Sequence, residues 1–153
     1  MAKVAIIMGS GSDRPVMEKA ATMLDRFGVD SDVRVISAHK SVEETLAFGR
    51  GAQSNGFDVI IAGAGKAAAL PGMLAALTLV PVIGVPISAT LDGMDALLSI
   101  VQMPTGIPVA TVAIDAANNA ALLAVQMIAM TDEGLRGKLA DYREELRKST
   151  LAG

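Results

Sequence analysis

One histidine, His39, stands in a chain of 153 residues, within the tetrad Ser37-Ala38-His39-Lys40. The tetrad combines a hydroxyl, an imidazole and a cation, which is what an acid/base working beside an anionic substrate needs. A solitary histidine can equally be structural, so its role depends on where the fold puts it. A second segment, Gly9-Ser10-Gly11-Ser12-Asp13, follows an apolar run and precedes a helical pattern. Its glycines permit close backbone approach and the helical N–H groups face an anion; Ser10 and Ser12 add hydroxyl donors, and Asp13 can accept from sugar hydroxyls. The plain alternative is a turn with Asp13 as N-cap. The segment is not a dinucleotide fingerprint, because Arg14 occupies the third glycine position.

The third segment runs from Gly63-Ala64-Gly65-Lys66 through Ala67-Ala68-Ala69 to Leu70-Pro71-Gly72-Met73, tiny residues with one cation. A planar ring can lie against such backbone. It is not a Walker A loop, since Ile60 stands at the first glycine and Ala67 replaces the magnesium-binding Ser/Thr. Lys66 at a helix N-terminus would oppose the helix dipole, which favours an anionic partner over simple solvation. Gly84-Val85-Pro86-Ile87-Ser88 and Gln102-Met103-Pro104-Thr105-Gly106 read as a wall and a lid. Met8, Met73 and Met103 read as packing residues, and the pairs Glu43-Glu44 and Glu144-Glu145 as solvated helix faces. No His, Asp or Glu cluster has metal-ligand spacing, so no metal is expected.

Positioning these segments requires a regular scaffold, and the pattern supplies one. Short β-branched runs, Val4 to Met8, Asp32 to Ile36, Val59 to Ala62, Pro81 to Val85 and Val109 to Ala113, read as five buried strands. Between them lie amphipathic stretches expected as helices: Asp13 to Arg26 with Gly28 as C-cap, Ser41 to Ser54 with a capping-box spacing to Glu44, Ala67 to Leu77, Met94 to Gln102 and Asn118 to Met130. A charged helix over about 131–149 closes the chain. Strict alternation predicts one α/β domain over 1–153, a three-layer sandwich of flavodoxin-like type with a parallel five-stranded sheet and an extra C-terminal helix. In such a sheet ligands bind beyond the carboxyl ends of the strands, and all the segments above fall there.

A formal charge of -3 and a sequence pI near 5.1 argue against nucleic acid or an anionic membrane as the main partner. No run is long and apolar enough for a membrane span, and no leader pattern opens the chain. With no cysteine, disulfides and thiolate metal sites are impossible, and a reducing cytoplasm is compatible. Apolar residues make up 52% and mean hydropathy is +0.48, high for a small monomer, so further apolar surface is expected to be buried in an oligomer.

Taken in order, GSGSD, SAHK, AGAGKAAALPGM, GVPISATLDGMDALLSIVQMPTGIPVAT and NAALLAVQM closely resemble the PurE family of purine biosynthesis, from about Lys3 to Met130. The resemblance implies a cytoplasmic, flavodoxin-like homo-octamer that places a carboxylate on C4 of aminoimidazole ribonucleotide without metal or organic cofactor. It implies that Ser10 and Ser12 contact phosphate, Asp13 contacts ribose, His39 is catalytic, Lys40 binds phosphate and Ser37 lines the pocket. Gly63, Ala64 and Gly65 match backbone that faces the aminoimidazole and its carboxylate.

The family has two classes. The mutase class, which moves a carboxylate from the exocyclic nitrogen of N-carboxyaminoimidazole ribonucleotide to C4, usually reads SAHR and GAGGAAHLPGM. The class that uses CO2 directly reads SAHK and AGRSNALSG. Lys40, Lys66 and Ala69 side with direct carboxylation, whereas LPGM, the GVP segment and IVQMP side with the mutase. The switched positions face the migrating carboxylate, so direct carboxylation with CO2, with His39 and Lys66 catalytic, is the expectation. The mutase reaction is the alternative. Loss of the family's second histidine at Ala69 leaves a third reading, a non-catalytic nucleotide-binding module.

Overall fold

The computed structural model describes all 153 residues. Its first strand, β1 (Lys3–Met8), carries after Lys3 an apolar run, Val4 to Met8, that is buried on both faces. Four further strands, β2 (Asp30–Val35), β3 (Val59–Gly65), β4 (Val82–Ile87) and β5 (Ala110–Thr111), join it in one all-parallel sheet of order β2-β1-β3-β4-β5. This is the expected flavodoxin-like α/β sandwich.

Period-two alternation sends successive side chains to opposite faces, and the strands divide accordingly. Val4, Ile6, Met8, Ile61, Ile83 and Val85 pack under α1 (Arg14–Phe27) and α5 (Ala117–Ile128). Ala5, Ile7, Ile60, Ala62 and Val82 pack under α2 (Val42–Gly51), α3 (Leu70–Leu77) and α4 (Met94–Val101). Each fully buried Leu or Ile contributes about 1.5–3 kcal/mol, so the two cores supply most of the folding drive. Close helix approach needs small residues. A Cβ on Gly84 would meet Ile100 of α4 at 2.4 Å, and α5 presents Ala117, Ala120, Ala121 and Ala124 to α1.

Gly28 ends α1 in the left-handed region at φ 72, as its position beyond the apolar pattern predicts. The last helix, α6 (Glu133–Leu151), starts on Asp132, whose side chain accepts from the Leu135 N–H at 3.0 Å. It is tied down by cations that cap its neighbours. Lys138 donates to the Phe27 carbonyl at 2.9 Å, and Arg136 donates to those of Ala129 and Met130. Tyr142 packs edge-on against Phe27.

Several expectations are corrected. β2 is an edge strand whose residues are exposed or half-buried, not a buried one, because only β1 pairs with it. β5 spans two residues rather than five, although the Val112 N–H still reaches the Gly84 carbonyl. Ser41 precedes α2 without capping it, since its hydroxyl is engaged by Ser37. Asp13 likewise makes no side-chain cap. α3 begins at Leu70 rather than Ala67, because Lys66 adopts φ 54 and the Ala68 N–H turns back onto the Lys66 carbonyl at 2.9 Å.

Candidate active site

The chain leaves β1 towards β2 on one side and β3 continues to β4 on the other, so a crevice opens between their carboxyl ends. A cavity of about 260 Å3 occupies it. Ser10, Ser12, Asp13, Ser37, His39, Lys40, Ala64, Gly65 and Lys66 all line it, together with Ala69 and Ala89. Three segments separated by some thirty residues each in sequence therefore meet at one place.

The turn after β1 is a single 3-10 turn, Gly11–Asp13, leading into α1. The Ser10 and Ser12 hydroxyls lie 2.9 Å apart, and the Ser12 N–H faces the Ser10 oxygen. One hydroxyl proton is spent between them and the other is left to donate to an anion at the helix N-terminus. Asp13 is buried beside them. Burial pushes its pKa above the usual carboxylate value, the backbone N–H of Ser10 opposes that, and the charge of Asp115 adds to it.

The turn after β2 is built by a hydroxyl network that the sequence patterns do not announce. The Ser41 hydroxyl donates to the Ser37 carbonyl at 3.0 Å and accepts from the Ser37 N–H at 2.8 Å. Thr45, fully buried in α2, donates to the carbonyls of Ser37 and Ser41. The Ser37 hydroxyl accepts from the Lys40 N–H at 3.1 Å, so its oxygen is committed to the turn. Ala38 is buried between them, and His39 and Lys40 project outward. The His39 imidazole has no hydrogen-bond partner within the chain, and this turn sets its position.

At the end of β3, Ala64, Gly65 and Lys66 line the cavity, but Gly63 does not. Gly63 is a packing residue: a Cβ there would meet the Met17 sulfur at 2.3 Å, and its carbonyl accepts from the Gly9 N–H, joining the first and third segments. Gly65 abuts Ala89, which would lie 3.2 Å from a Cβ at Gly65. Lys66 is exposed and, like Lys40, takes no part in any of the four ion pairs of the chain. Two cations without ion-pair partners, an imidazole and one carboxylate, Asp13, thus face one cavity, and the excess of positive groups favours an anionic ligand. No group of three or more His, Cys, Asp or Glu side chains is placed to hold a metal ion. The Gln102–Gly106 segment expected as a lid does not line the cavity, and a Cβ on Gly72 would instead meet the Met103 sulfur at 3.0 Å.

Comparison with known proteins agrees with this geometry. A family model described as AIR carboxylase matches residues 3–149. The N5-carboxyaminoimidazole ribonucleotide mutase of Pyrococcus abyssi is 57% identical over 149 residues, covering 97% of this chain and 86% of that protein. The chloroplastic phosphoribosylaminoimidazole carboxylase of Vigna aconitifolia is 52% identical over 97% of this chain, which spans 27% of that longer protein. The crystal structure of Treponema denticola PurE superposes with a TM-score of 0.88 at 30% identity, covering 99% of this chain and 96% of that one. A parallel sheet of this order, a cavity at its switch point and a family match over nearly the whole chain lead to one conclusion: the chain belongs to the AIR carboxylase, or PurE, family.

Proposed function

We propose that the chain forms 4-carboxy-5-aminoimidazole ribonucleotide from aminoimidazole ribonucleotide and dissolved CO2. The observation that carries this reading is the convergence of two cations without ion-pair partners, Lys40 and Lys66, with His39 on one cavity whose remaining lining is mostly Gly, Ala and Ser, with Leu70 and the single carboxylate of Asp13. Ser10, Ser12 and Lys40 would hold the phosphate, Asp13 the ribose hydroxyls, and the backbone of Ala64 and Gly65 the ring face. Gly63 supports that backbone from below.

The aminoimidazole is an enamine, nucleophilic at C4. C4 attacks the carbon of CO2, a C–C bond forms, and one C–O π pair moves onto oxygen to give a carboxylate. Lys66 stabilises that developing charge. The proton left on C4 is then removed by His39, restoring the aromatic ring. CO2 is a weak ligand, so most of the rate gain comes from holding the ribonucleotide by its phosphate and orienting the ring.

The mutase reaction is the second reading. It is favoured by the names of the Pyrococcus abyssi relative and of its Thermotoga maritima counterpart, 47% identical over 99% of this chain. In that case Lys66 would hold CO2 or carboxylate between the two half-reactions. A homo-octamer in the cytoplasm belongs to the same proposal. Supporting assembly, Leu91, Met94, Leu98 and Val101 recur along one side of the α4 region with 45–74% of their surface exposed. No helix is long and apolar enough to cross a membrane.

The test is two incubations: aminoimidazole ribonucleotide with bicarbonate, and the N-carboxy compound without it. Product in the first supports direct carboxylation, product only in the second establishes the mutase, and product in neither refutes the enzyme reading. His39→Asn is expected to abolish turnover in whichever incubation succeeds while still binding substrate. Near-normal turnover would remove His39 from the mechanism.

A further inference from the structure

Asp115 lies in the connection between β5 and α5, outside every motif considered above, and takes a left-handed backbone at φ 60. Its N–H donates to the Pro86 carbonyl at 2.8 Å, and its carboxylate accepts from the Ser88 N–H at 2.9 Å. Both partners sit at the carboxyl end of β4, one just before and one just after its last residue, Ile87. β5 itself is only two residues long, so the β4 end has little sheet pairing on that side, and Asp115 replaces it. Next to Ser88 is Ala89, which lines the cavity and rests against Gly65, the residue before Lys66. A second contact runs in parallel: a Cβ on Gly93 would meet Ile114 at 2.6 Å, so the β4–α4 connection is pressed against the same loop.

We propose that Asp115 is a positioning residue for the substrate cavity, a latch that holds Ser88 and Ala89 in place and through Ala89 fixes the Gly65-Lys66 wall. This rests on the carboxylation reading given above. Asp suits the position twice, because its short side chain tolerates the left-handed backbone and its carboxylate accepts from the amide. The charge also reaches Asp13, which lines the cavity, and adds to the rise in its pKa that burial causes, which places Asp115 within electrostatic range of the cavity.

The test compares Asp115→Ala, Asp115→Gly and Asp115→Asn in the full chain. Asparagine keeps both the acceptor oxygen and the left-handed preference, whereas glycine keeps the backbone and loses only the acceptor. Amide exchange at Ser88, whose N–H donates to the Asp115 carboxylate, is read first, without substrate. The alanine and glycine variants are expected to lose protection there while β1 and β3 stay protected, and the asparagine variant to retain it. In turnover, alanine and glycine should raise KM for the ribonucleotide about tenfold with a smaller change in kcat, and asparagine should stay within about twofold of wild type. Unchanged exchange in Asp115→Gly, or equal impairment of the asparagine and alanine variants, overturns the latch. If the wild-type chain turns over neither substrate, the carboxylation reading fails by itself, and the exchange pattern still decides whether Asp115 holds the cavity wall.

Discussion

Replacing Lys66 by glycine separates two properties that meet at one position, backbone strain and charge. At φ 54 the lysine lies in the left-handed region, which costs an L-residue about 1–2 kcal/mol. Glycine removes that cost but is disfavoured by about 0.5–1 kcal/mol through the greater freedom of its unfolded chain. The difference predicts a gain of about 0.5 kcal/mol, with 1.5 kcal/mol as a rough upper bound. Unfolding entropy of about 2.1 cal/mol/K per residue, over 153 residues, converts 0.5 kcal/mol into a Tm rise of roughly 1.5 °C. The same change deletes a preorganised cation, whose loss should lower kcat with bicarbonate by about 10²-fold or more. Lys66→Ala is the control, because it removes the charge and leaves the strain. Calorimetry of the two variants beside carboxylation assays over a range of dissolved CO2 completes the measurement. The expected result is equal loss of activity in both and higher stability in glycine alone. Equal Tm values would refute the strain argument, and an unchanged CO2 dependence in Lys66→Gly would refute the electrostatic one.

Three further outcomes follow from particular contacts. Thr45→Val leaves the Ser37 and Ser41 carbonyls short of a buried donor, so stability should fall by about 1 kcal/mol in denaturant melts and kcat should fall with it, while Thr45→Ser restores both. The Asp13 pKa is raised on folding, so its contribution to stability is fully present below the unfolded pKa and is lost as pH rises through the folded one. Asp13→Asn should therefore raise Tm at neutral pH, by an amount that shrinks on acidification, and weaken ribonucleotide binding; a pH-independent difference would refute the burial argument. Lys138→Met keeps the aliphatic stem but removes the donor to the Phe27 carbonyl, costing about 1 kcal/mol and exposing α6 to proteolysis before the sheet.

Much of the scaffold is local information. An apolar β-branched run such as Val4 to Met8 has few alternatives to a buried parallel strand, and Gly28 beyond a helical pattern reads directly as its left-handed terminus. His39 and the GSGSD segment were legible in the same way, as polar residue types at strand ends, and both line the cavity. The alternation, the fold class and the three segments that line the cavity were thus readable from the sequence alone. Their meeting was decided by strand order, because β1 lies between β2 and β3 and so brings residues 10–13, 37–40 and 64–67 to one crevice. The tertiary structure also decided what each neighbour does. Ser41 reads as a helix cap from its spacing to Glu44 but serves the His39 turn, and Thr45 looks like an ordinary helical residue until its buried hydroxyl finds two carbonyls. Gly63 reads as cavity backbone and proves to be room for Met17, while Asp115 reaches Ser88 across 27 positions. The physical reason is common to all four. Propensity and period are properties of adjacent residues, whereas a hydrogen-bond acceptor or a missing Cβ acquires its purpose only from the atom that the fold brings against it.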